Sequence, residues 1–197
     1  MKIKFGTSGW RAIIADDFTF HNVRIVTQSI VDYLRREGLH NRSVVVGYDT
    51  RFLSEQFAQT AANMLAANGM HTLLCNRDTP TPVVAFEILR QKASAGINIT
   101  ASHNPYDYSG LKLNSAWGGP ALPEITQRIE AGCEPYITGE SHLKIPRDLT
   151  EVKKRLIVLS DPQPHYFRHL ERLVDTRALK RGKIRVAVDV LWGTGRG

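Results

Sequence analysis

Cysteine is scarce in this sequence: two in 197 residues, Cys75 and Cys133. Both sit in apolar surroundings without metal-ligand spacing. That excludes a disulfide framework and a cysteine metal site, and fits reduced thiols in a cytoplasmic protein. No apolar run approaches the roughly 20 residues of a membrane span, so no membrane partner is expected. The start, Met1-Lys-Ile-Lys-Phe-Gly6, lacks the apolar core of a secretory leader. No internal repeat or low-complexity tract occurs, and no Gly-x-Ser-x-Gly elbow surrounds any serine.

What is present fits an ordinary globular chain, 42% hydrophobic and 23% charged. Its length allows one large domain, or one domain plus part of another. The net charge is +7, densest at Lys153-Lys154-Arg155 and around Lys180-Arg181 to Arg185. These charges are not interleaved with aromatics in a recognition motif, so nucleic acid is not an expected partner. They are either solvated helix ends and linkers or a field that attracts anionic ligands.

Periodicity predicts a helix over residues 22–37, with Val23, Val26, Ile30, Tyr33 and Leu34 on one face and Gly38 as its C-terminal cap. Val44-Val-Val-Gly-Tyr48 reads as a buried strand ending in Asp49-Thr-Arg51. Asp49 and Arg51 either pair with each other or support a loop above them. Ser54 is placed to cap a helix over 55–68 that closes at Gly69. A strand over 70–75, a Pro80/Pro82 turn and a helix to about Arg90 follow. Residues 95–99 read as another buried strand, and 111–114 as a short one carrying Lys112. Pro123 to Cys133 reads as a helix. This strand–helix alternation predicts a layered α/β domain.

Prolines and polar residues mark 146–165 as a linker. A helix over 166–173 and a strand over 183–190 follow, the strand leading into Gly193-Thr-Gly195. A strand feeding a glycine loop needs a helix after it to bury its apolar face. A second domain that begins at 166 and is cut at 197 is therefore expected, following a first domain over 1–145. The same Gly193-x-Gly195 keeps an alternative in view, a non-catalytic phosphate- or nucleotide-binding α/β module.

The chemistry gathers at Thr100-Ala101-Ser102-His103-Asn104-Pro105. Pro105 lacks an N–H and biases Asn104 away from helix, so the strand over 95–99 should end there in a loop. A hydroxyl, an imidazole and a carboxamide then meet at a strand end, where α/β sheets bind ligands. A serine hydrolase is disfavoured, because adjacent side chains in extended backbone point apart and His103 cannot serve Ser102 as base. Near the start, Gly6-Thr7-Ser8-Gly9-Trp10-Arg11 reads on its own as a turn between two strands.

The hexapeptide, the following Gly110-Leu-Lys112-Leu-Asn114 and the Gly-Thr-Ser-Gly-x-Arg signature together resemble the α-D-phosphohexomutases, the phosphoglucomutase/phosphomannomutase family. The resemblance covers essentially the whole chain, and departs from the family pattern in having Ala12 where many members have glycine. It implies an α/β/α sandwich with a mixed sheet and an intramolecular phosphotransferase activity. Ser102 would carry the phosphoryl group moved between O1 and O6 of a hexose phosphate. Arg11 and Lys112 would offset charge, one of them helping to move the sugar hydroxyl proton. His103 would order the loop or donate to the phosphate or substrate, and Thr7, Ser8 and Asn104 would contact substrate. The resemblance also implies Mg²⁺, held by the phosphate on Ser102 and by an aspartate-rich loop, and hexose 1,6-bisphosphate as activator and intermediate. No Asp-x-Asp-x-Asp run occurs here, so the remaining metal ligands and the sugar-recognition loop are expected from further domains, and this chain alone is expected to be inactive.

Overall fold

A computed structural model describes residues 3–6, 9–145, 150, 155–182 and 185–196. Seven strands form one mixed sheet: β1 (Phe5–Gly6), β2 (Gly9–Ile13), β3 (Val44–Tyr48), β4 (Thr72–Cys75), β5 (Ala95–Ile99), β6 (Tyr108–Ser115) and β7 (Ile157–Ser160). Their spatial order is β1-β2-β6-β5-β3-β4-β7. The half that contains β5, β3, β4 and β7 is parallel, whereas β6 joins it antiparallel and carries β2 and β1.

Helices cover both faces, as the alternation of the strands requires. On β3, Val44, Val46 and Tyr48 face the main core, where α1 (Phe20–Arg36), α2 (Ser54–Ala67) and α4 (Pro123–Ile137) pack. Val45 faces a smaller core under α3 (Thr81–Gln91), with Val84, Ile88 and Cys75. Val23, Val26, Ile30 and Leu34 are fully buried along the predicted face of α1. Its entry is fixed by Thr19, whose hydroxyl accepts from Asn22 N–H at 3.2 Å. The two cysteines lie in different cores on opposite faces of the sheet. Burial pushes the Cys75 thiol up to about 11 and the Cys133 thiol up to about 12, so both are protonated, inert thiols.

Several expectations are corrected. Ser54 does not cap α2: the cap is Leu53, left-handed at φ 60°, and the Ser54 hydroxyl donates to Asp49 instead. The helix from Pro123 runs past Cys133 to Ile137, carrying Pro135 inside its last turn. The expected linker contributes a strand, for Ile157–Ser160 pairs parallel with β4 at the sheet edge. The helix over 166–173 begins earlier, as α5 (Gln163–Leu173), and the short α6 (Thr176–Arg181) follows. No strand forms over 185–190, while Lys183 and Ile184 lie outside the described residues. Val186 and Val188 are 74% and 78% exposed there, because a strand needs a neighbour for its ladder and this stretch has none among the described residues.

Candidate functional site

The site sits where parallel β5 ends between β3 and β6. Buried Trp10 stacks on Phe18 at 4.6 Å, and Phe18 meets Phe57 edge-on at 4.8 Å, which fixes β2 against the main core. Strand alternation then turns Arg11 to the opposite face. On β6, Leu111 pairs with Trp10, so Lys112 faces the same side as Arg11. Lys112 in turn stands across from Asn98 of β5.

Two glycines make this crossing possible. A Cβ on Gly110 would lie 2.6 Å from Thr100 O and 2.9 Å from Trp10 O. A Cβ on Gly9, at φ 102°, would lie 2.5 Å from Leu111 O and 2.9 Å from Lys112 Cα. A side chain at Gly9 would push β2 off β6, and one at Gly110 would push β6 off both β2 and the end of β5.

Beyond Ile99 the chain makes a short turn. Thr100 Oγ1 accepts from Ser102 N–H at 3.0 Å, and Asn104 N–H donates to Ala101 O at 3.1 Å. Ser102 is exposed and left-handed, at φ 58°. That conformation costs an L-residue roughly 1–2 kcal/mol, so neighbouring bonds must offset it. They come from Arg51. Its Nη1 donates to Pro105 O at 2.6 Å and Tyr108 O at 2.9 Å, and its Nη2 to Ser102 O at 3.0 Å and Asn104 O at 2.6 Å. A hydrogen bond from a charged donor contributes about 1.5–3 kcal/mol, enough to outweigh the strain. Arg51 Nε also faces Asp49 Oδ2 at 3.4 Å. Asp49 Oδ1 accepts from Arg51 N–H at 3.0 Å and from Ser54 Oγ at 2.7 Å. Both alternatives read from Asp49-Thr-Arg51 therefore hold at once: the pair forms, and the arginine supports the loop.

From the other side, Arg11 Nη1 donates to Asn104 Oδ1 at 3.1 Å, tying β2 to the same loop. Arg11 Nε is buried without a partner among the described residues. Lys112 is held below the usual lysine range by burial and then by the Arg11 guanidinium, with Asp49 opposing. His103 is exposed and makes no hydrogen bond among the described residues. Thr7 and Ser8 lie outside the described residues. The structure thus brings Arg11 of β2 to the loop that carries Ser102 and Asn104, with Lys112 within the field of Arg11.

Ser102 opens onto a cleft of about 820 Å³, also lined by Asp49, Thr50, Phe52, Tyr106 and residues 190–194. The far wall is tethered by Thr50 Oγ1 donating to Trp192 O and by an Arg196–Asp78 pair at 3.0 Å. Phe52 and Tyr106, 71% and 90% exposed, do not stand out in the sequence, because single aromatics outside a periodic face carry no pattern. For Mg²⁺ the described residues are an incomplete set. No group of three His, Cys, Asp or Glu side chains converges among them, and the cleft carboxylate, Asp49, is engaged by Arg51 and Ser54.

Residues 2–137 match the family described as phosphoglucomutase/phosphomannomutase, alpha/beta/alpha domain I. A phosphoglucomutase from Komagataeibacter xylinus is 30% identical over 98% of this chain, which spans 36% of that protein. A phosphoribomutase from Saccharomyces cerevisiae is 34% identical over 68% of this chain and is itself 23% covered. Among solved structures, a Thermus thermophilus protein assigned to the phosphomannomutases superposes with TM-score 0.73 at 34% identity, over 91% of this chain and 38% of that one. The chain therefore spans well under two thirds of the length of the relatives it matches.

Proposed function

We propose, for a chain that belongs to the phosphoglucomutase/phosphomannomutase family through its α/β/α domain I, that it carries the phosphoserine of a phosphohexomutase. The observation that supports this most is the setting of Ser102, an exposed hydroxyl in a strained turn pinned from beneath by Arg51 and from the side by Arg11 through Asn104.

The phosphoryl group on Ser102 Oγ passes in line to the O1 or O6 hydroxyl of a hexose monophosphate. The P–Oγ bond breaks as the new P–O bond forms, and the hydroxyl proton leaves to a base. The bisphosphate then reorients and returns its other phosphoryl group to Ser102, so the net change moves phosphate between O1 and O6. Lys112, held below the ordinary lysine value, suits the proton's movement. The fixed charge of Arg11 offsets the negative oxygens. His103 orders the loop or donates to phosphate or substrate, and Thr7, Ser8 and Asn104 contact substrate.

Magnesium belongs to the same proposal: one ligand is an oxygen of the Ser102 phosphate, and the others come from outside these residues. So do hexose 1,6-bisphosphate as activator, further domains of the same protein as partners, and a cytoplasmic location. No helix among the described residues is long and apolar enough to cross a membrane. In domain terms, 1–145 form the first unit and 166–197 open the second, with β7 placed in the stretch between.

The test is turnover of glucose 1-phosphate by the full-length protein that carries this chain, with ribose 1-phosphate as comparison. The hexose phosphate should be isomerised and Ser102→Ala should abolish the reaction, while the 197-residue chain alone should show none. Turnover undiminished in the alanine variant contradicts the proposal.

A further inference from the structure

We infer that Arg51 is the positioning residue that holds Ser102 in its left-handed, outward-facing geometry, a role that rests on reading Ser102 as the phosphoryl carrier. The guanidinium is a planar fork with five N–H donors. Its two terminal nitrogens bond the carbonyls of Ser102, Asn104, Pro105 and Tyr108, which encircle the whole turn. None of these bonds engages the Ser102 hydroxyl, so Arg51 acts on the backbone and leaves Oγ free.

Arg51 is itself held in place. Its side chain is 14% exposed and the Asp49 side chain 16%. Asp49 takes the Nε side of the fork and is locked by Ser54 Oγ and Arg51 N–H. Asp49 N–H donates to Ile99 O at 3.0 Å, joining the base of this loop to the end of β5. Immediately after Arg51 the chain reverses through Leu53 at φ 60°, a conformation a leucine rarely adopts. The two loops that carry these left-handed residues, each following one of two neighbouring strands, are thus bridged by one side chain. Strain of this kind persists only where the surroundings over-determine it. Lysine cannot substitute, since a compact ammonium does not span four carbonyls arranged around a plane.

The experiment compares Arg51→Lys, Arg51→Ala and wild type in the full-length protein for the rate at which Ser102 takes a phosphoryl group from hexose 1,6-bisphosphate. Both variants should be slowed about 100-fold, the effect of a misplacement near 1 Å at a reacting group. Their KM should be little changed, because Arg51 binds backbone rather than substrate, and added guanidinium ion should partly restore the alanine variant. A lysine variant phosphorylated at the wild-type rate overturns the inference. Should wild type itself take no label at Ser102, the reading of the site fails. Amide exchange then decides the part of Arg51 separately: faster exchange at residues 102–108 in Arg51→Lys, with β5 unchanged, upholds the clamp, and equal exchange overturns it. The lysine variant keeps the charge, so the comparison stands even if the alanine variant does not fold.

Discussion

Lys112 illustrates how one side chain's chemistry is set by what packs around it. Burial and the Arg11 guanidinium both disfavour its ammonium, and only Asp49 opposes them. The unfolded chain therefore binds the extra proton in the window between the folded and the ordinary lysine value. Across that window the contribution of Lys112 to stability rises with pH, and its cost is fully present below the folded value. Arg11→Met should raise the Lys112 pKa, read by side-chain nitrogen NMR through a pH titration; an unchanged or lower value would show that Arg11 is not the cation that matters. At this scale much was legible. Ser102, Lys112 and Arg11 stand out by motif, and β2/β6 pairing explains how residues about a hundred positions apart share one face. Arg51 was legible only as a choice between two partners. A single guanidinium has enough donors for both, and nothing in a sequence says which carbonyls will turn towards it.

Among the strands, β7 is the one the sequence hides. It has four residues, sits beside prolines, and leaves Val158 and Leu159 exposed, so it carries neither an alternating nor a buried pattern. Its partner, β4, lies some eighty residues away. Besides its ladder with β4 and the packing of Ile157 on the main core, a buried polar cluster fastens it. Glu87 of α3, wholly buried, accepts from Ser160 Oγ at 3.1 Å as well as from Gln91 and, in a two-pronged contact at 2.7 Å, from Arg90. Burial acts to raise the Glu87 carboxyl, but the bonds from Arg90, Gln91 and Ser160 outweigh it and the net shift is downward. A carboxyl lowered on folding adds stability above its unfolded range, and that stability is lost as pH falls through the folded value. Arg90→Met should cost about 1–3 kcal/mol at neutral pH, the penalty for leaving a buried acceptor unsatisfied. Urea unfolding should show the deficit narrowing in acid; a deficit that does not depend on pH would point to lost packing instead. The left-handed cap at Leu53 was hidden for a related reason. Ser54 looks like an N-cap, and only the three-dimensional neighbour Asp49 explains why its hydroxyl goes elsewhere.

Across the whole molecule, strands and helices over 20–137 follow from periodicity, and the mixed sheet places the ends of β3 and β5 side by side. That juxtaposition lets a loop from one strand brace a loop from the other, which is the physical basis of the site. Residues 185–190 read as part of a strand because their composition is that of one, yet they have no strand partner among the described residues, and all but Val190 are exposed. Composition records what a segment would bury, not whether a neighbour is there to bury it. The most direct test of the central claim follows the phosphorus atom. The full-length protein incubated with hexose 1,6-bisphosphate labelled in its phosphates should acquire label on one peptide, at Ser102, and Ser102→Ala should acquire none. Label on another residue, or label undiminished in the alanine variant, would contradict it.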